Sequence, residues 1–306
     1  MRVLLCYPDV DPAPWLALLR AELPGADVQT WSPGAPAADY GVVWAPPQRF
    51  LDEQSGLKAL FNIGAGVDKL MALRLPPGVP VVRLDDAGMA VQMAEYVCHA
   101  VSRHFRDFAQ YEAQARQGQW QQLRPRARAG FTVGVMGLGV LGRRVAQALR
   151  QFEFPVRGWA RRAHAVDGVP VDAGEAALPA FLSACQAVVC VLPLTPQTRD
   201  ILRRETLAML PRGAYVVNVA RGALLVEDDL LALLDAGHLG GATLDVFRTE
   251  PLPPDHPLWR HPRVTVTPHT SAQTLDAESI AQIAGKIAAL ERGERVGGMV
   301  DTALGY

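Results

Sequence analysis

Short apolar runs alternate with stretches of helical spacing along the whole chain. A first group of runs has the length and composition of buried strands: RVLLCY (residues 2–7), YGVVWA (40–45), KALFNIG (58–64) and VPVVRL (79–84). PWLALLRAEL (14–23) lies between the first two and has the spacing of a helix. One long helical stretch then covers residues 93–120. A second group of strands follows: FTVGVMG (131–137), PVRGWA (155–160), AVVCVLP (187–193), AYVVNVA (214–220), GATLDV (241–246) and RVTVTP (263–268). Helices are expected between them over 140–152, 177–185, 205–211 and 227–237, the last with three acids in its first turn, where the helix dipole favours them. Residues 274–294 form a final helix, with Thr274 placed to cap it.

Strand–helix alternation of this kind builds parallel sheets covered by helices on both faces. The expected fold is therefore α/β, with two doubly wound parallel-sheet domains: a flavodoxin-like domain and a Rossmann domain. The first spans residues 1–97 and is completed by 270–306, because the last helix comes after the last strand of the second domain, 98–269.

Composition narrows the picture. The chain has 306 residues, 49% hydrophobic and 20% charged, with a formal net charge of −1, which suits a soluble protein and gives no reason to expect nucleic acid or an anionic membrane as partner. No apolar run approaches the roughly 18 residues of a membrane span, and the start of the chain does not resemble a signal peptide. The four cysteines, Cys6, Cys98, Cys185 and Cys190, lie in apolar runs without metal-ligand spacing. They are expected as reduced, buried thiols in a cytoplasmic protein with no metal site.

GLGVLG follows one strand and opens a helix, the context in which such a loop holds a dinucleotide. Gly137 permits the tight turn and Gly139 the approach of a pyrophosphate. Gly142 permits close packing of helix on strand, and Val140 and Leu141 complete the loop at the helix N-terminus. About 20 residues further on, a chain that binds NADH usually carries an acid for the ribose hydroxyls. Here Ala160 is followed by Arg161 and Arg162. Two guanidinium groups suit a 2′-phosphate, so NADPH is the expected cofactor and NADH the weaker alternative. A pair of arginines on a solvated turn has the same appearance.

Three further loops place chemistry at carboxyl ends of expected strands, the edge where ligands bind in open α/β sheets. They carry Arg221 in NVARGAL, Asp245 and Glu250 in LDVFRTEP, and His269 in VTPHTSAQT. Singly, each has an ordinary structural explanation. Together they match the needs of carbonyl reduction in a 2-oxo acid. A fork-shaped cation binds the carboxylate and carbonyl, and a histidine paired with an acid donates the proton. FNIGAGVD adds a glycine turn, with Gly64, Ala65, Gly66 and Val67 placed to take a small carboxylate or merely to reverse the chain. Trp44, at the end of its strand, is either a wall for a small substrate or a core residue.

These stretches, with RLDDAGMAVQMAEY, LPLTPQT and HPRVTVTPHT, resemble the D-isomer-specific 2-hydroxyacid dehydrogenases over nearly the whole chain, and most of all their glyoxylate/hydroxypyruvate reductase branch. The resemblance implies that Arg221 orients the substrate, that His269 is the general acid and that Glu250 is its partner. It places Asp245 at the nicotinamide amide, Leu192, Pro193 and Thr198 in a dinucleotide-contact loop, and residues 64–67 at the substrate carboxylate. It also implies a homodimer and a small 2-oxo acid as substrate. Two features bear on that pattern. Thr270 and Ser271 stand where many members have Ile-Gly. Glu250 stands where formate dehydrogenases of this fold have glutamine, which favours carbonyl reduction. The chain ends soon after its last helix, so no regulatory domain is expected. Dinucleotide-sensing corepressors share the fold and are the alternative, as is a dehydrogenase of another 2-hydroxy acid. Consumption of NADPH with a small 2-oxo acid separates enzyme from corepressor.

Overall fold

A computed structural model describes residues 1–8 and 10–305. Tyr306, the last residue of the segment expected to complete the first domain, lies outside them. The chain divides into two compact units, Met1–Gly88 with Thr274–Tyr306, and Met89–Gln273.

The first unit contains β1 (Arg2–Cys6), α1 (Ala13–Glu22), β2 (Asp27–Thr30), β3 (Tyr40–Val43), α2 (Gln48–Glu53), β4 (Ala59–Asn62), α3 (Asp68–Met71) and β5 (Val81–Arg83). All pair in parallel in the order β2-β1-β3-β4-β5, the flavodoxin-like arrangement. The central strands are buried along their length, as parallel strands covered on both faces must be. The C-terminal helix, Asp276–Glu291, buries Ile280, Ile283 and Ile287. Two polar ties fix its C-terminal half. Tyr40 Oη donates to Glu291 at 2.7 Å, and the Lys286 ammonium meets Asp85 at 2.9 Å.

The second unit begins with α4 (Met89–Phe105) and α5 (Phe108–Arg116). Then come β6 (Val133–Met136), α6 (Val140–Gln151), β7 (Val156–Ala160), β8 (Val171–Ala173), α7 (Leu178–Ser183), β9 (Ala187–Cys190), α8 (Arg204–Leu207), β10 (Ala214–Asn218), α9 (Glu227–Asp235), β11 (Leu239–Leu244) and β12 (Val264–Val266). Its seven-stranded sheet has the order β12-β11-β10-β9-β6-β7-β8 and is parallel throughout. The chain reverses direction across the sheet between β6 and β9, the switch point at which Rossmann sheets hold ligands. One core cluster gathers Phe181, Leu207, Leu230 and Leu244, and another gathers Val97, Val101, Val145 and Leu149.

Several expected elements differ from those observed. The helix expected over 93–120 starts earlier, at Met89, and breaks at Asp107, whose φ of 55° is left-handed and cannot continue a right-handed helix. Its second piece stops at Arg116, ahead of Gly118 at φ 63°. The helices expected over 177–185 and 205–211 are shorter, at Leu178–Ser183 and Arg204–Leu207. Thr274 does not cap the last helix. Leu275 occupies the N-cap without a side-chain bond, and Asp276 and Glu278 in the first turn supply the charge that favours that end. The boundary expected at 97/98 falls inside α4, whereas the second compact unit takes the whole helix. The reason is packing: Val97, Val101 and Phe105 share one core cluster with Val145 and Leu149 of α6. The four cysteines are free and buried, and burial pushes their thiols up to about 11 for Cys6 and Cys98 and about 12 for Cys185 and Cys190. No helix among the described residues is long and apolar enough to cross a membrane.

Candidate active site

The glycine loop turns between β6 and α6. Gly137 has φ 94°, open to glycine at little cost, and a Cβ there would lie 2.7 Å from the Val191 carbonyl oxygen. The loop thus lies against the segment that leaves β9, at the switch point. A Cβ on Gly142 would collide with the Gly137 carbonyl, so the first turn of α6 packs directly on the loop. Gly139 is the N-cap of α6, carries no side-chain cap, and faces open space where its Cβ would be. A helix start with unmasked N–H groups and room above it suits an anion. Val140 is exposed at the tip and Leu141 half-buried. Beside the loop, Leu192 is buried, and Thr198 Oγ1 donates to the Pro193 carbonyl at 2.7 Å and closes that turn. Arg161 and Arg162 are exposed immediately beyond β7. A dinucleotide with an extra phosphate fits this set: an open helix start beside two guanidinium groups.

Arg221 follows β10. Asn218, the last residue of that strand and fully buried, holds the turn. Its Nδ2 donates to the Arg221 carbonyl at 3.0 Å and its Oδ1 accepts from the Ala220 N–H at 3.2 Å. The Arg221 Nη1 donates to the Ala220 carbonyl at 2.7 Å. Any side chain on Gly222 would overlap the Phe247 backbone, so the turns after β10 and β11 lie in contact. That contact brings Arg221 and Glu250 onto one edge of the sheet.

Glu250 and His269 form the centre of the group. Glu250 Oε2 lies 2.8 Å from His269 Nδ1, and Oε1 accepts the Phe247 N–H at 2.9 Å. Burial pushes the Glu250 carboxyl up. The hydrogen bonds from His269 and Phe247, with the charges of His269 and Arg221, outweigh it and hold the group below the usual carboxylate range. His269 has φ 55°, unusual outside glycine, and its N–H donates to the Asp245 carbonyl at 2.8 Å.

Asp245 is fully buried and binds the histidine loop. Its Oδ1 accepts from Thr267 Oγ1 at 2.6 Å and from the Thr270 N–H at 2.8 Å, and its Oδ2 accepts from the Ser271 N–H at 2.9 Å. Tyr96 of α4 completes a chain, 2.5 Å from Thr267 Oγ1. Since that hydroxyl gives its proton to Asp245, Tyr96 is the donor. Burial chiefly pushes the Tyr96 phenol up to about 12, which keeps the proton in place. Thr270 and Ser271, the departures from Ile-Gly, take part in this network through their backbone.

In the first unit, the turn of Gly64, Ala65, Gly66 and Val67 follows β4. Asn62, buried at the end of that strand, donates to the carbonyls of Gly64 at 3.2 Å and Gly66 at 3.0 Å. Gly64 has φ 122°, and a Cβ there would lie 2.8 Å from the Trp44 ring. Trp44 is half-buried on this turn, with the Lys69 ammonium 5.6 Å from its ring centre, so it lines the turn instead of filling a core.

The structure therefore brings Arg221, Asp245, Glu250 and His269 together in the second unit, and Trp44 together with residues 64–67 in the first. Sequence reasoning missed Asn62, Tyr96, Asn218 and Thr267. The only available signal for the two asparagines was an amide ending an apolar strand. Among the described residues no group of three or more His, Cys, Asp or Glu side chains is arranged to hold a metal ion.

Residues 98–271 match the family model for the D-isomer specific 2-hydroxyacid dehydrogenase NAD binding domain. The chain is 47% identical to glyoxylate/hydroxypyruvate reductase A of Serratia proteamaculans and 44% identical to the protein of that name from Yersinia enterocolitica, with 100% of both chains covered in each case. Among solved structures it resembles a D-isomer specific 2-hydroxyacid dehydrogenase from Xanthobacter autotrophicus in complex with NADPH and MES. That match has 41% identity and a TM-score of 0.94 over 100% of this chain and 99% of that one. An NADPH-dependent glyoxylate/hydroxypyruvate reductase from Sinorhizobium meliloti, in complex with NADP and sulfate, matches at 36% identity and a TM-score of 0.93, with the same coverage. The chain belongs to the D-isomer specific 2-hydroxyacid dehydrogenase family.

Proposed function

We propose that this protein reduces small 2-oxo acids, glyoxylate and hydroxypyruvate among them, to 2-hydroxy acids with NADPH. The observation that carries the reading is the Glu250–His269 pair on the sheet edge that also presents Arg221. The names of the curated relatives and the nicotinamide cofactors of the solved neighbours support it.

NADPH supplies the hydride. Gly137, Gly139, Val140, Leu141 and Gly142 would hold its pyrophosphate at the start of α6, with Leu192, Pro193 and Thr198 alongside. Asp245, assigned by the family resemblance to the nicotinamide amide, is buried and would serve that end of the cofactor by holding the histidine loop, and Arg161 and Arg162 would take the 2′-phosphate. Arg221 binds the substrate carboxylate and carbonyl with its planar fork, and its charge opposes the negative charge that grows on the carbonyl oxygen. With Nδ1 committed to Glu250, His269 has Nε2 left to donate a proton to that oxygen. The carbonyl carbon gains the hydride, the oxygen gains the proton, and a neutral hydroxyl results. Residues 64–67 take a small carboxylate, and Trp44 limits the size of what enters. The family resemblance supports a cytoplasmic homodimer.

The test is a panel of small 2-oxo acids assayed with NADPH and with NADH. Reduction of glyoxylate and hydroxypyruvate, more efficient with NADPH, is the expected result. No consumption of either cofactor with any acid overturns the reductase reading. Equal efficiency with both cofactors overturns the assignment of NADPH.

A further inference from the structure

His164 stands between the two parts of the proposed phosphate site. Its Nδ1 lies 3.1 Å from the Arg162 carbonyl oxygen, and its Nε2 lies 3.3 Å from the Leu138 carbonyl oxygen in the glycine loop. Both partners are carbonyl oxygens, which only accept. A neutral imidazole has a single N–H and would set its other nitrogen's lone pair against an oxygen, whereas the imidazolium donates to both. The anchor on the glycine side is fixed. The Leu138 side chain is seated over Gly158 of β7, where any Cβ would overlap it, and Arg143 Nε of α6 donates to the same Leu138 carbonyl at 3.0 Å. The charged residues near it are Arg161, Arg162 and Asp167 along its own loop and, from α6, Arg143, which shares the Leu138 carbonyl with the ring. The Asp167 backbone carbonyl accepts from Arg150 of α6 at 3.0 Å.

The geometry points to His164 as a positioning residue for cofactor choice: as an imidazolium it ties the arginine turn to the glycine loop and adds a positive charge beside Arg161 and Arg162. The inference rests on the NADPH reading above. Its consequence is that preference for a 2′-phosphorylated dinucleotide depends on a proton. When the ring loses its proton, one of the two ties and one positive charge are lost together, while the contacts to the rest of the dinucleotide remain.

Direct binding tests this without turnover. Calorimetry gives the affinities of adenosine 2′,5′-bisphosphate and of AMP, which differ by the 2′-phosphate alone, from about pH 6.5 to about pH 8.5, across the range in which histidine titrates. The phosphate's own second ionisation, near pH 6, works in the opposite direction and is common to all variants. In the unmodified protein the advantage of the bisphosphate over AMP is expected to fall at least about threefold as the pH rises. His164→Gln is expected to start with a smaller advantage and to lose that fall, and His164→Arg to keep the advantage at every pH. A flat ratio in the unmodified protein overturns the inference, as does an undiminished fall in His164→Gln with AMP affinity intact. If the bisphosphate binds no better than AMP at any pH, the NADPH reading itself fails, and this inference with it.

Discussion

Glu250 Oε2 and His269 Nδ1 lie 2.8 Å apart, although the two residues stand on loops from different strands. The pair is held from both sides: the Phe247 N–H orients the carboxylate, and Asp245 anchors the loop that carries the imidazole. Because Glu250 is held below the usual carboxylate range, it is charged at neutral pH.

Glu250→Gln removes that charge and leaves an amide of the same shape. Reduction needs His269 protonated, and the carboxylate favours the charged ring. Without it the ring loses its proton at lower pH, so the alkaline limb of the kcat/KM profile moves to lower pH. Profiles of glyoxylate reduction in the two proteins check this, and coincident alkaline limbs show that the pair is not coupled.

Arg221→Lys retains the charge and loses the planar fork that meets a carboxylate and a carbonyl together. Reduction efficiency should fall by about tenfold or more, since hydrogen bonds to charged groups are worth about 1.5–3 kcal/mol. NADPH affinity measured without substrate should change little. A lysine variant with the normal rate on glyoxylate removes Arg221 from the proposed role.

Asp245→Asn places an amide NH2 where a carboxylate now accepts from Thr267, Thr270 and Ser271. One buried N–H then faces a donor, at a cost of about 1–3 kcal/mol. The melting temperature should drop, and kcat should drop further than a general loss of stability explains, because the loop that places His269 is released. Unchanged melting and unchanged kcat together show that the three bonds do not hold the loop.

Trp44→Ala opens the side of the glycine turn on which the ring now lies. A pocket contact of this kind shifts discrimination by about 1–3 kcal/mol. The ratio of kcat/KM for phenylpyruvate to that for glyoxylate should therefore rise several-fold. A lowered melting temperature with an unchanged ratio assigns the indole to packing alone.

The central strands were legible because both of their faces are buried and their apolar runs are continuous. The two strands missed, β2 and β8, each form one of the two edges of their sheets. DVQT and VDA carry too few apolar residues to register as runs, since an edge strand is covered less completely. The helix break at Asp107 left no mark in the periodicity of 93–120, because a single left-handed residue interrupts a helix without altering its composition. At the site, Arg221, Glu250 and His269 were readable as reactive types past strand ends. The bonds of Asp245 to the histidine loop were not, because they join residues more than 20 positions apart through backbone N–H groups that every residue carries. Trp44 stood between two readings in the sequence, because the type of a residue at a strand end does not show that its ring lies on the turn of Gly64.

The most direct test of the proposed chemistry is kcat for NADPH-dependent glyoxylate reduction in the unmodified protein and in His269→Ala, with the melting temperature of both recorded. A positioned general acid contributes about 10²–10⁴-fold. His269 is more than a third exposed and outside the apolar core, so its removal should leave folding largely intact. The account predicts a fall in kcat within that range at a near-normal melting temperature. A His269→Ala protein that melts normally and reduces glyoxylate at the unmodified rate contradicts it.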